Sequence, residues 1–426
     1  MVKTSLIGDK VQIRCVLVIL GLMPIFAIAG GRGIPLLVAI GGALWLWYSA
    51  RNAIRTQKPG EAFLDFMSRQ PQWIWGLAAF LFWACLSTFW STYESPKLLN
   101  NAFIVTFGAI LYFAFQRQIG FAIARRPALM KKFILGITVF LLFILFWDIS
   151  THYGLSLFFD PLGDTEPPEK KQLDLIQNTS NGISTLALCL PAALTMIWTQ
   201  SRRGKWIAGL TALAALYTAY LGQMDSVVIA MILAIIVMGL ARVWPVLMTK
   251  LVIFAAMLSW VAAPILGHII TRLPQAQQST LPQSWEHRAK IWAFVAQKIT
   301  EHPIVGHGFD MSRRFTGLIE NAGRLDGLPI LSLHPHNAGL HIWLETGFIG
   351  IILALITLYW LGRHILTHVR ADRHYAVIVC GFMMIVTVIA NISYGIWQEW
   401  WWASIIYASA FTTLNLTDNG REVTGG

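Results

Sequence analysis

Charge is what this sequence has least of. Only 12% of its 426 residues are Asp, Glu, Lys or Arg, about half the roughly 25% of a soluble domain. That excludes an ordinary soluble globular chain. Cysteine is scarce too. Cys15, Cys85, Cys189 and Cys380 stand far apart, each inside an apolar run, with no Cys-x-x-Cys. Such spacing excludes a disulfide framework and a cysteine zinc site. No internal repeat is visible, which counts against a classical transporter architecture. What the chain does hold is 56% hydrophobic residues in long runs, with 19 tryptophans, a side chain that favours the membrane–water interface. A segment in lipid must satisfy its own backbone N–H and C=O groups, so these runs predict helices and an all-α integral membrane protein.

About twelve transmembrane helices are expected, near residues 13–29, 33–50, 72–91, 99–116, 133–151, 181–199, 205–222, 225–241, 251–268, 338–361, 375–394 and 398–415. Residues 1–268 then hold helices 1–9, residues 269–337 form one long external loop, and residues 338–426 hold helices 10–12 and a tail. Lys3, Lys10 and Arg14 precede the first run, and Ala27-Ile28-Ala29 resembles a cleavage site. The favoured reading is an uncleaved first span.

The net charge of +11 would raise nucleic acid as a partner of a soluble chain. Here it is assigned to topology. Of the 32 Lys and Arg residues, 21 fall in one alternate set of inter-span segments, and seven of the others sit in the long loop. That asymmetry predicts cytoplasmic termini, and long loops cross largely regardless of charge. A second external segment, 152–180, is acidic, with Asp160, Asp164, Glu166, Glu169 and Asp174.

Inside the long loop, residues 284–301 read as a helix, with Ser284 as N-cap. Trp285, Ile291, Trp292, Val295 and Ile299 share one face, and Glu286, Lys290 and Gln297 the other. Arg288 breaks the pattern by sitting within the apolar stripe. A guanidinium there forms a salt bridge, stacks on tryptophan, or meets a phosphate, whose oxygens its fork matches. Pro303, Gly306 and Gly308 in His302-Pro-Ile-Val-Gly-His-Gly-Phe309 form a turn. Arg313, Arg314 and Arg324 follow, as a solvated face or as anion contacts.

The loop ends in His334-Pro335-His336-Asn337, at the border of an apolar run. A histidine there can touch an aqueous and a lipid-borne substrate together. Asn337 suits a helix N-cap. His341 and Glu345, four apart, can pair. Glu345 lies nine residues from His336, on nearly the opposite helical face. His334 and His336 lack a convincing set of further ligands, so no metal is assigned.

Here the chain resembles the O-antigen ligase and polymerase superfamily of Gram-negative inner membranes. Three features carry the resemblance: His336-Asn337 with a nine-residue gap to Gly347-x-x-Gly350; Arg288-x-x-x-Trp292 followed by Pro303-x-x-Gly306-x-Gly308; and Asn181-Gly182 at the head of the sixth span. Together they cover about residues 177–415. One departure stands out: Gln223-Met224-Asp225-Ser226 replaces the Ser-Arg that many members carry near the eighth span.

The resemblance implies a metal-independent, inverting glycosyltransferase without cofactor, working on the periplasmic face of the inner membrane. Its donor would be a polysaccharide on undecaprenyl pyrophosphate and its acceptor lipid A–core, with membrane lipids as the other partners. His336 would be the general base, with a pKa near ~6.5, and Arg288 the pyrophosphate ligand. Asn337, Arg313, Arg314, Arg324, Lys290 and Asn181 are the candidate substrate-binding residues. The nearest rivals are an O-antigen polymerase and a protein-O-oligosaccharyltransferase. A transporter or flippase is a more distant one, since Asp148, Asp225, Glu345 and Glu399 are scattered.

Overall fold

The computed structural model describes residues 2–28, 31, 33–56, 70–92, 97–158, 168–272, 280–320, 323–331 and 333–414. Of the acidic residues noted above, Asp160, Asp164 and Glu166 lie outside the described residues, as does the tail beyond 414.

The described residues form fourteen α-helices and no β-sheet. In chain order these are α1 (Val2–Ile28), α2 (Gly33–Thr56), α3 (Gln72–Leu86), α4 (Lys97–Arg125), α5 (Pro127–Ser150), α6 (Gly154–Phe158) and α7 (Pro168–Gln200). After them come α8 (Gly204–Leu221), α9 (Asp225–Val243), α10 (Pro245–Thr271), α11 (Gln283–Ile299), α12 (Ala338–Val369), α13 (Arg373–Ile392) and α14 (Glu399–Ser409). Among the described residues, ten are long and apolar enough to cross a membrane. The other two expected spans are also helices. α8 has 18 residues, and α14 has 11 before it tightens into a 3₁₀ turn at Ala410–Thr413.

The spanning part of α7 is almost wholly buried and forms the centre of the bundle. Its Ile183, Leu186, Ala187 and Leu190 pack against residues of α1, α5, α9 and α14. Neighbouring helices approach closely where glycine removes the side chain. A Cβ on Gly42 of α2 would lie 1.9 Å from the Leu111 carbonyl oxygen of α4. Small residues serve this purpose in lipid, where helices gain little from hydrophobic burial.

One span is interrupted. Gly347 in α12 has φ 63° and ψ −162°, a region essentially reserved for glycine. The break frees backbone groups in the middle of a membrane helix, and each finds a partner elsewhere. The Leu344 carbonyl accepts from His307 N at 2.8 Å and the Glu345 carbonyl from Gly308 N at 2.9 Å. The Thr346 carbonyl accepts from the Trp83 indole at 2.9 Å. Beyond the break, Phe348 N donates to Pro303 O at 2.9 Å and Ile349 N to Ile304 O at 3.2 Å. The Pro-x-x-Gly-x-Gly turn is therefore the piece that fills the gap at Gly-x-x-Gly. The two motifs are one backbone assembly. Gly306 and Gly308 have φ of 72° and 99°, and a Cβ on Gly306 would meet the Glu345 backbone at 2.4 Å.

Candidate active site

α11 forms one residue earlier than its sequence indicates, after Pro282, and Ser284 does not cap it. Ile291, Val295 and Ile299 bury against Ala263 of α10, Leu331, and Leu340 and Leu344 of α12. Glu286 departs from the expected polar face. It is 2% exposed and accepts from Arg324 Nε at 2.6 Å. An arginine 38 residues away makes that burial tolerable, and helical periodicity carries no information about it.

Trp292 aims its indole N–H at the Pro335 carbonyl, 2.9 Å away, and so ties α11 to the His336 segment. One turn earlier, Arg288 lies over the Trp285 ring at 5.4 Å, and one guanidinium nitrogen donates to the Ser284 carbonyl at 3.2 Å. Its Nε is buried without a hydrogen-bond partner. Among the described residues no carboxylate oxygen comes within 4.0 Å of it. Of the two structural readings, stacking is realised and the salt bridge is not. Burial lowers its pKa from the ordinary arginine value, while Asp225 and Tyr394 favour the charged form.

His336 sits at φ 54°, a left-handed conformation that costs on the order of 1–3 kcal/mol for a non-glycine residue. Its Nδ1 lies 2.6 Å from the Ser393 carbonyl oxygen. A carbonyl only accepts, so Nδ1 carries the proton and Nε2 of the neutral ring is the acceptor. The expectation of an ordinary imidazole pKa is corrected. The pKa is lowered to about 4: burial pushes it down most, the Ser393 bond pulls it partly back, and the charge of Arg288 adds to the lowering. The charge of Arg288 thus reaches the His336 ring.

Asn337 is the N-cap of α12. Its Oδ1 accepts from Leu340 N at 2.9 Å, and Ser393, not Asn337, holds the His336 ring. His334 supports the segment from the other side, its Nδ1 accepting from His336 N at 3.2 Å. Its Nε2 lies 3.2 Å from the Gln398 amide nitrogen, while the Gln398 amide oxygen is buried without a partner. An imidazole accepting at Nδ1 carries its proton at Nε2. An amide turned to face that proton with its oxygen satisfies both groups.

The remaining candidates are held in different ways. Arg313 pairs with Asp310 at 2.7 Å, and its charge is felt at His334. Arg314 donates to the Thr92 carbonyl. Arg324 joins Glu286 and the Leu281 carbonyl. Lys290 is half-buried on α11. Asn181 is buried in α7, accepting from Gln177 at 3.0 Å, one turn before Ser184, whose hydroxyl meets that of Tyr394 at 2.9 Å.

Residues 393–398, between α13 and α14, are the part of the site that sequence reasoning missed. They supply Ser393, Tyr394 and Gln398. Gly395 lets the turn approach, since a Cβ there would lie 2.9 Å from the His334 ring, a contact that nothing local in the sequence announces. Ser393 also donates from its hydroxyl to Ser226 at 2.6 Å, which joins this turn to the start of α9. At the position of the missing arginine, Asp225 brings a carboxylate into the field of Arg288.

The same part of the chain is similar to known proteins. A family model described as O-antigen ligase matches residues 210–355. A protein of Rickettsia bellii, provisionally named as a polysaccharide ligase, is 35% identical over 177 residues, 40% of this chain and 42% of its own length. One from Rickettsia prowazekii with the same designation is 34% identical over 178 residues, 40% of this chain and 43% of its own. The matched region thus spans less than half of these relatives. The family match takes in Arg288, the 303–308 turn, His336 and the break at Gly347: this chain is a multi-pass membrane protein whose residues 210–355 are similar to the O-antigen ligase family.

Proposed function

We propose that this protein is a glycosyltransferase that moves an O-antigen-type polysaccharide from undecaprenyl pyrophosphate to lipid A–core oligosaccharide. The observation that carries this reading is an imidazole fixed with Nε2 as acceptor, electrostatically coupled to an arginine with an unused buried N–H. In the reaction, a sugar hydroxyl of the acceptor attacks the anomeric carbon of the donor. The bond from that carbon to the pyrophosphate oxygen breaks, and the configuration inverts. The hydroxyl proton passes to His336 Nε2, and the charge left on the lipid pyrophosphate is stabilised by Arg288. A base of carboxylate-like strength suffices. In a transition state resembling a glycosyl cation, the hydroxyl becomes acidic as the new bond forms. Both substrates are lipid-anchored, which fits a site where the long loop meets the membrane helices. The basic-residue asymmetry supports an inner-membrane protein with this site facing the periplasm and both termini in the cytoplasm.

A strain lacking the gene is expected to make lipid A–core without any O-chain, while polymer accumulates on the lipid carrier. Core bearing a single repeat unit would reassign the protein as a polymerase. Loss of glycan from a pilin serine or threonine would make it a protein-O-oligosaccharyltransferase. Unchanged lipopolysaccharide would overturn the ligase and polymerase readings together. In a purified transfer assay, Arg288→Ala is expected to lose roughly 10²–10³-fold in kcat, the cost of one preorganised transition-state donor. Arg288→Lys should recover little, because an ammonium lacks the planar fork. Wild-type turnover by Arg288→Ala would remove it from the reaction.

A further inference from the structure

Glu345 is fully buried one turn beyond His341 in α12, and the transfer chemistry above does not use it. Its carboxylate accepts four hydrogen bonds: from Asp310 N at 2.8 Å, Ser312 N at 2.9 Å, the His341 imidazole at 3.1 Å and the Trp397 indole at 2.6 Å. Among the described residues no lysine or arginine nitrogen lies within 4.0 Å of it. His341 accepts from Ile396 N through Nδ1 at 3.2 Å. That fixes its proton on Nε2, where it faces Glu345.

Three separate segments meet on this one side chain. The 310–312 turn arrives by two backbone N–H groups, the first half of α12 by His341, and the 393–398 turn by Trp397 and, through His341, by Ile396. The last segment begins with Ser393, whose carbonyl holds the His336 ring, and ends with Gln398, which meets His334. Burying a carboxylate is costly, and an apolar side chain of similar volume would seal this region more cheaply. What an apolar side chain cannot do is fix three backbone directions at once.

We propose that Glu345 is a positioning residue: by holding the 393–398 turn against the 310–312 turn, it sets the Ser393 carbonyl, and through it the proton placement and aim of His336. This inference rests on His336 being the proton acceptor. His336 precedes the N-cap of α12, so the coupling runs through the folded-back turn and not along the helix.

The test uses the full-length protein in lipid nanodiscs, with Glu345→Gln alone and in a His336→Ala background. Glutamine keeps the shape but turns one acceptor into a donor facing N–H groups. Glu345→Gln should lower kcat by roughly 10- to 100-fold, the cost of misplacing a reacting group by about an ångström, with donor KM within about twofold. In the His336→Ala background it should cost nothing further, because its effect passes through His336. Glu345→Asp should restore part of the rate. Should Glu345→Gln fail to reach the wild-type thermal midpoint, Trp397→Phe, which removes a single donor, carries the same measurements. Equal losses with and without His336 would overturn the inference, as would a wild-type kcat. If instead His336→Ala is fully active, it is the proposed base that falls.

Discussion

His336→Ala is expected to lower transfer by roughly 10²–10⁴-fold, the contribution of a positioned general base, while leaving the protein folded and in the membrane. The variant that isolates the chemistry is His336→Asn. Asparagine tolerates the left-handed backbone found at this position, and its side-chain amide can still donate to the Ser393 carbonyl. It presents no basic nitrogen, so it should be as inactive as alanine. Substantial turnover by either purified variant would remove His336 from the reaction. The pH profile gives an independent reading. A base of ordinary imidazole strength would lose activity as the pH falls through about 6.5. With the pKa lowered to about 4, activity should stay level from neutral pH down to about pH 5 and fall only toward pH 4. The sign for stability follows from the same shift. Unfolded His336 takes up its proton at the ordinary value and the folded residue does not, so its contribution is complete above about pH 6.5 and is lost as the pH drops toward 4.

Gly347→Ala is expected to cause the largest loss of folded protein, on the order of 4 kcal/mol or more, in the range that marks a specific structural failure. Its φ of 63° and ψ of −162° exclude any residue with a Cβ. The added methyl would also lie 2.4 Å from the Ile304 carbonyl oxygen and 2.5 Å from Gly306 N. Both are backbone atoms already held, Ile304 O by Ile349 N across the break and Gly306 N by His302 O within the turn, so neither can move without opening the turn. Gly350→Ala gives the comparison. Its methyl would meet the Thr346 hydroxyl at 1.9 Å, but that is a side chain, and no left-handed backbone is at stake. Its loss should be smaller. Thermal unfolding midpoints and membrane yields of the two variants measure the difference. A Gly347→Ala protein with wild-type midpoint would mean that the break does not require glycine.

Much of the candidate site was legible in the sequence. Arg288 declared itself by breaking an apolar stripe, because helical periodicity tells which residues share a face. His336 declared itself by its place at the end of a polar loop and by its spacing to Gly347 and Gly350. The reading failed where a residue's setting comes from distant chain. Glu286 looked solvated until Arg324 was found beside it. His336 looked like an ordinary imidazole, yet it is partly buried among groups that lower its basicity. Glu345 was set aside as facing the wrong way, a judgement that holds along a helix but not across turns that fold back onto it.

Composition and hydropathy by themselves determined an all-helical membrane protein with its helices near the expected places, because in lipid a backbone has almost no other way to satisfy its hydrogen bonds. Motif spacing determined which loop to search. Only the tertiary structure decided that the glycine motif and the proline–glycine turn are two halves of one helix break, and that Ser393, 57 residues from His336, fixes the imidazole proton. Both outcomes depend on hydrogen bonds between segments far apart in the chain. Periodicity is a local property and cannot tell which distant backbone group will meet which side chain.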